Sequence, residues 1–166
     1  MERIVILQDF VPREHDHACC VEHAMTRAEQ VCLARGERLT PLRRDILALI
    51  WTSHKPVKAY ELLSRLSTTH GRMAPPTVYR ILDFLQSVGL IHRLESLNCY
   101  IGCADPTHRH EGQFFICERC GSVAEFADTG LQSRLAKTAA SLGFQMGSGT
   151  IEISGLCQHC QCGSGA

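Results

Sequence analysis

Residues 74–95 run APPTVYRILDFLQSVGLIHRLE. Pro75 and Pro76 cannot lie inside a helix but can open one, because first-turn N–H groups lack helical partners anyway. Val78, Ile81, Leu82, Leu85 and Val88 then recur at helical spacing as an apolar stripe. Thr77, Tyr79, Arg80, Asp83 and Gln86 point the other way. Gly89 ends the helix, and the pattern turns to strand at Ile91–Glu95. A second strand, Tyr100–Cys103, returns after Ser96-Leu97-Asn98, which makes a hairpin.

Upstream lie further short helices. Val21–Leu33 has a helical pattern that ends near Gly36. Thr40 is an N-cap with Pro41 at the first helical position. Leu42, Ile46, Leu49 and Ile50 share one face of that helix, which Lys55-Pro56 ends. Tyr60, Leu62, Leu63 and Leu66 belong to the next helix, closed by Gly71. Three or four short helices followed by a hairpin is the layout of a winged helix-turn-helix, whose last helix enters the DNA major groove. Its outward residues near the N-terminus are Thr77, Tyr79 and Arg80. Arginine can pair bidentately with guanine or with phosphate, and tyrosine can meet a phosphate or a thymine methyl.

Charge points the same way. Seventeen basic and seventeen acidic residues balance to zero, but not evenly. Residues 24–97 carry eleven basic and six acidic side chains, against two and five in residues 1–23 and four and six in residues 98–166. The middle segment is the candidate polyanion binder; the plain alternative is a solvated helix face.

Downstream of a turn at Asp105-Pro106-Thr107, FFICERCGSVAEF (114–126) reads as strand, knuckle and strand, with Cys117 and Cys120 as a Cys-x-x-Cys pair. A helix from Thr129 to Leu142 follows, stopped by Gly143, then a strand TIEIS. A second pair, Cys157 and Cys160, sits in GLCQHC. The β-β-α-β order makes a small α+β unit. The expected domains are a tail (1–23), a winged-helix DNA-binding domain (24–104) and a zinc-binding domain (105–166).

Two such cysteine pairs suit one tetrahedral structural zinc. A redox switch or an iron–sulfur cluster are the rivals, and His159 or Cys162 could substitute as ligands. His92, Cys103, His108, His110 and Glu125 form a second set, on the wing, after it, in the following loop and on the strand beyond the knuckle. Mixed N, S and O donors suit an exchangeable regulatory site that clamps two domains at one angle. His15, Asp16, His17, Cys19 and Cys20 cluster in HDHACC. They are either an auxiliary metal site or a polar tail, and the tail is preferred because no helix or strand pattern holds them.

No apolar run is long enough to span a membrane, and the N-terminus lacks a basic region followed by an apolar core. The expected location is cytoplasmic, with no membrane partner. Ten cysteines in such a chain argue for metal or redox chemistry over structural disulfides. A zinc deaminase would need His-x-Glu and then Pro-Cys-x-x-Cys. Here Glu111 directly follows His110 and Ile116 precedes Cys117, so an enzyme with a small-molecule substrate is not expected.

Taken together, RLTPLRRDIL, KAYELL, PPTVYRILDFL, GLIHRLES, FFICERCG, VAEF and GLCQHC resemble the ferric uptake regulator (Fur) family of bacterial metal sensors, and within it the zinc uptake regulators. These motifs run from about residue 24 to residue 160. The resemblance implies a homodimer with an N-terminal winged helix and a C-terminal dimerisation domain. It implies a structural zinc on Cys117, Cys120, Cys157 and Cys160. It implies a sensing zinc on His92, Cys103, a loop histidine and Glu125. Aligning on PTH selects His108; counting back from Cys117 selects His110. Tyr60 and Arg80 match the family's DNA-contacting positions. The expected function is a zinc-responsive repressor that binds operator DNA as a zinc-loaded dimer and controls zinc-uptake genes.

Overall fold

The computed structural model describes residues 4–10, 17–53, 55–107, 111–147 and 149–161. In chain order the elements are β1 (Ile4–Gln8), α1 (His17–Ala34), α2 (Pro41–Trp51), α3 (Ala59–His70), α4 (Pro75–Ser87), β2 (Ile91–Leu94) and β3 (Cys99–Gly102). They continue as β4 (Gln113–Cys117), β5 (Val123–Asp128), α5 (Thr129–Ser141), β6 (Ile151–Gly155) and α6 (Gln158–Gln161). The fold is mixed α+β, in two compact units: residues 11–109, and residues 1–10 with 110–166.

The first unit holds helices α1 to α4 and the β2–β3 wing. Its core takes Ala28, Val31 and Cys32 from α1, Ile46, Leu47 and Ile50 from α2, Leu62 and Leu66 from α3 and Val78, Leu82 and Leu85 from α4. These positions recur every three or four residues, so each helix turns one stripe inward. Pro41 and Pro75 open α2 and α4 as expected, after Thr40 and Ala74 in extended backbone. Gly71 and Gly89 follow α3 and α4 at positive φ (74° for both), a conformation that costs glycine least. In the wing, Ile91 faces Gly102 and His92 faces Ile101. Val57 adds a rung to β3 through paired backbone bonds with Tyr100, each 2.8 Å.

The second unit is a four-stranded sheet in the order β1-β5-β4-β6. β4 and β5 form an antiparallel hairpin, β6 runs parallel to β4, and β1 runs antiparallel to β5. Asp128 caps α5, its carboxylate accepting from the N–H groups of Gly130 (2.8 Å) and Leu131 (3.0 Å). Sequence patterning gave residues 1–23 weak structural signals. In the structure, Ile4–Gln8 is an edge strand and α1 already begins at His17. The one-turn helix α6 was also not anticipated.

Candidate metal centres and nucleic-acid face

The knuckle after β4 places the first cysteine pair. Cys117 ends the strand, its N–H donating to Ser122 O at 2.9 Å. Gly121 N–H donates back to Cys117 O at 2.9 Å, and Gly121 takes a φ of 72° to close the turn. Glu118 N–H donates to Gly155 O at 2.9 Å, which ties the knuckle to β6 and so to the second pair. There the first turn of α6 folds Cys160 over Cys157, with Cys160 N–H donating to Cys157 O at 2.9 Å. Arg119 Nη1 donates to Cys160 O at 2.6 Å and joins the two turns.

The four sulfurs of Cys117, Cys120, Cys157 and Cys160 all lie within 4.8 Å of one another, and Cys120 Sγ is 3.8 Å from Cys157 Sγ. A tetrahedron with zinc–sulfur bonds of about 2.3 Å has sulfur–sulfur edges of about 3.8 Å. The spacing therefore fits a metal at the centre. Cys117, Cys157 and Cys160 are buried, and Phe10 packs against the group.

The surroundings tune the thiols unequally. Burial pushes Cys117 up, but the N–H groups of Cys157, Cys120 and Arg119 oppose it and hold the thiol down at about 6. The Cys157 N–H lies 3.4 Å from the Cys117 sulfur. Cys120 is also lowered, first by the Ser122 hydroxyl 2.8 Å away. Cys160 is pushed up to about 12 by burial and then by the neighbouring thiols. Cys117 and Cys120 are thus the thiols readiest to ionise, and a cation held at the centre would favour the thiolate form of all four.

The second expected ligand set divides between the two units. In the wing, His92 lies on β2, and Cys103 follows β3 with its N–H donating to Leu90 O at 3.0 Å. Leu90 and His92 share a face of the hairpin, so Cys103 lies diagonally across from His92. One ring nitrogen of His92 and the Cys103 sulfur are within 4.8 Å of each other. Glu125, in the other unit, is a β5 carboxylate only 2% exposed, directly opposite Phe114. His108, His110 and Cys162 lie outside the described residues, and His159 is exposed.

The candidate nucleic-acid face is in the winged-helix unit. Tyr60, in the first turn of α3, is 64% exposed, and Tyr79 on α4 is 50% exposed. Both line a cleft of about 230 Å³ with Lys58 and the wing residues Leu97 and Asn98. The Lys58 ammonium stands 5.9 Å from the Tyr60 ring. Arg80 is exposed and Thr77 half-buried on the same helix as Tyr79. Sequence spacing had not shown that the start of α3 and the wing meet Tyr79 at one cleft.

The ferric uptake regulator family model matches residues 34–154. The zinc uptake regulation protein of Escherichia coli K12 is 39% identical over 142 residues, covering 84% of this chain and 82% of the relative. A solved zinc uptake regulator in complex with zinc and DNA superposes with a TM-score of 0.80 at 37% identity, covering 85% of this chain and 95% of that one. The holo form of XcZur superposes at 0.76 with 45% identity, covering 83% and 96%. With well over half its length matched and a relative of this identity, the chain belongs to the ferric uptake regulator family.

Proposed function

We infer that this protein is a zinc-responsive transcriptional repressor, not an enzyme. As a zinc-loaded homodimer it binds operator DNA in the cytoplasm and controls zinc-uptake genes. The observation that carries the reading is the likeness over most of the chain to a regulator solved with zinc and DNA. The four-cysteine cluster is the structural zinc site: all its ligands are thiols, and four thiolates leave no open position for an activated water.

The sensing zinc is assigned to His92, Cys103, Glu125 and one of His108 and His110. Cys103 is the selective donor in this set, because a thiolate favours zinc over iron or manganese, which prefer nitrogen and oxygen. Dimerisation is supported by the second unit. In α5 only Gly130 is buried, while Leu135, Leu142 and Phe144 are at least 41% exposed on the helix or just past it. On the sheet, the paired residues Phe115 and Ile153 are 40% and 44% exposed. Such apolar area suits a second copy of the same face. DNA contact is assigned to Tyr60, Thr77, Tyr79 and Arg80. No described helix is long and apolar enough to cross a membrane.

Zinc must bind the DNA-competent arrangement better than the alternative for it to control repression. By reciprocity, operator DNA then tightens zinc binding by the same factor. The test is an operator-binding titration against buffered free zinc, with iron and manganese as parallel arms. Affinity for DNA should rise with zinc alone. Equal DNA affinity with and without zinc refutes the reading.

A further inference from the structure

The HDHACC cluster lacks a pattern in sequence, but the structure places part of it on a regular helix. α1 begins at His17 and runs eighteen residues. Cys19 and His23 are therefore one helical turn apart on the same face, the i and i+4 spacing that brings side chains together. The Cys19 sulfur is 3.9 Å from both ring nitrogens of His23, and both residues are exposed. With zinc–sulfur near 2.3 Å and zinc–nitrogen near 2.0–2.1 Å, a shared tetrahedral metal holds sulfur and nitrogen roughly 3.6 Å apart. Equal distances leave neither nitrogen aimed at the sulfur, so the imidazole must turn about its Cβ–Cγ bond to bring one nitrogen to a shared metal, and on this exposed face it is open to do so.

We propose that Cys19 and His23 form a surface zinc site, separate from the four-cysteine cluster and from the proposed sensing ligands. It offers one thiolate and one imidazole, with water at the remaining positions. Metal binding displaces the thiol proton to solvent and breaks no other bond. Two protein ligands on an open face bind weakly and exchange quickly, so the site fills only after better-built sites are satisfied. It is a place where zinc is taken on or given up at the surface, and it does not hold the fold.

The test uses the full-length, zinc-loaded protein, with Zn²⁺ as the probe. Alkylation of Cys19 is followed in peptides fragmented so that Cys19 and Cys20 are read separately. At free zinc ten times above the site's Kd, alkylation of Cys19 should slow roughly tenfold. His23→Gln should abolish that protection while leaving helix content and zinc-dependent operator binding unchanged. Two results overturn the proposal: Cys19 that zinc does not protect in the unaltered protein, or protection that persists in His23→Gln. Because operator binding is measured in the same samples, failure here is distinguishable from failure of the repressor reading.

Discussion

Gly102 sits against the indole of Trp51, so closely that a Cβ there would fall 2.6 Å from Cζ2 and nearer still to Cε2 and Nε1. No real side chain tolerates such a contact, so Gly102→Ala must push the wing and α2 apart. Overpacking of this kind costs about 1–3 kcal/mol. Gly102 immediately precedes Cys103, so the displacement also moves a proposed sensing ligand. Expected outcomes are a lower melting temperature and a weaker zinc response in operator binding. Trp51 is the only tryptophan, so its fluorescence reports the shift directly. An unchanged spectrum and melting curve would refute the argument.

The helices of the winged unit were legible because each carries a 3.6-residue apolar stripe, with prolines opening α2 and α4 and glycines following α1, α3 and α4. Val78, Leu82 and Leu85 are buried as their spacing required. The metal-binding cysteines were legible from paired Cys-x-x-Cys spacing. β1 was not, because IVIL is short and exposed and gains its place only by pairing with β5 from far along the chain. The meeting of Cys19 with His23 was likewise hidden. Spacing suggests it only once the helix is known to begin as early as His17.

Cys103 gives the sharpest separation of the two metal roles. Cys103→Ser removes the thiolate but keeps a similar volume, and the wing contact through the Cys103 backbone N–H remains. The zinc response of operator binding should weaken by at least about tenfold in free zinc, the effect of losing roughly 1.4 kcal/mol of ligand binding. The melting temperature and the four-cysteine zinc should be retained, as read by bound metal after dialysis. A normal zinc response in this variant would remove Cys103 from the sensing set.

The unequal thiols of the four-cysteine site predict a proton count. A site of four ordinary thiols releases close to four protons per zinc at neutral pH. Here Cys117 is already largely ionised at pH 7.5, since its folded pKa is about 6. Zinc added to chelator-stripped protein in weak buffer should therefore release clearly fewer than four protons. The sign for stability follows. A thiol lowered from its ordinary 9.0 to about 6 stabilises the metal-free fold above pH 9, and that contribution is lost as pH falls through 6. Cys117→Ser leaves three thiols and should abolish tight zinc retention, read by bound metal after dialysis.

Asp128 joins β5 to α5, and its cap is separable from the metal. Its carboxylate accepts two N–H groups, while its own backbone is held by Gln113, with Asp128 N–H to Gln113 Oε1 at 3.1 Å. Asp128→Ala leaves both helix N–H groups without the cap and should cost about 1–2 kcal/mol. Asp128→Asn, which can still accept, should recover most of that. Thermal melts of the zinc-loaded protein check both, and equal loss in the two variants would mean the charge, not the cap, is what matters.

Arg80 and Lys58 should fail differently on DNA. Arg80 lies on α4, proposed here as the groove-reading helix, where its fork can take two acceptors of one guanine edge. Lys58 is a point charge beside Tyr60, at the start of α3, where a phosphate is the natural partner. Arg80→Ala should therefore cost about 1–3 kcal/mol on the operator and far less on unrelated DNA, which lowers specificity. Lys58→Ala should weaken both DNAs alike and reduce the salt slope by about one unit. Zinc-loaded protein titrated with operator and scrambled duplexes at several salt concentrations separates the two. If Arg80→Ala weakened both duplexes equally, Arg80 would be a phosphate contact, and base reading would fall to Thr77 and Tyr79.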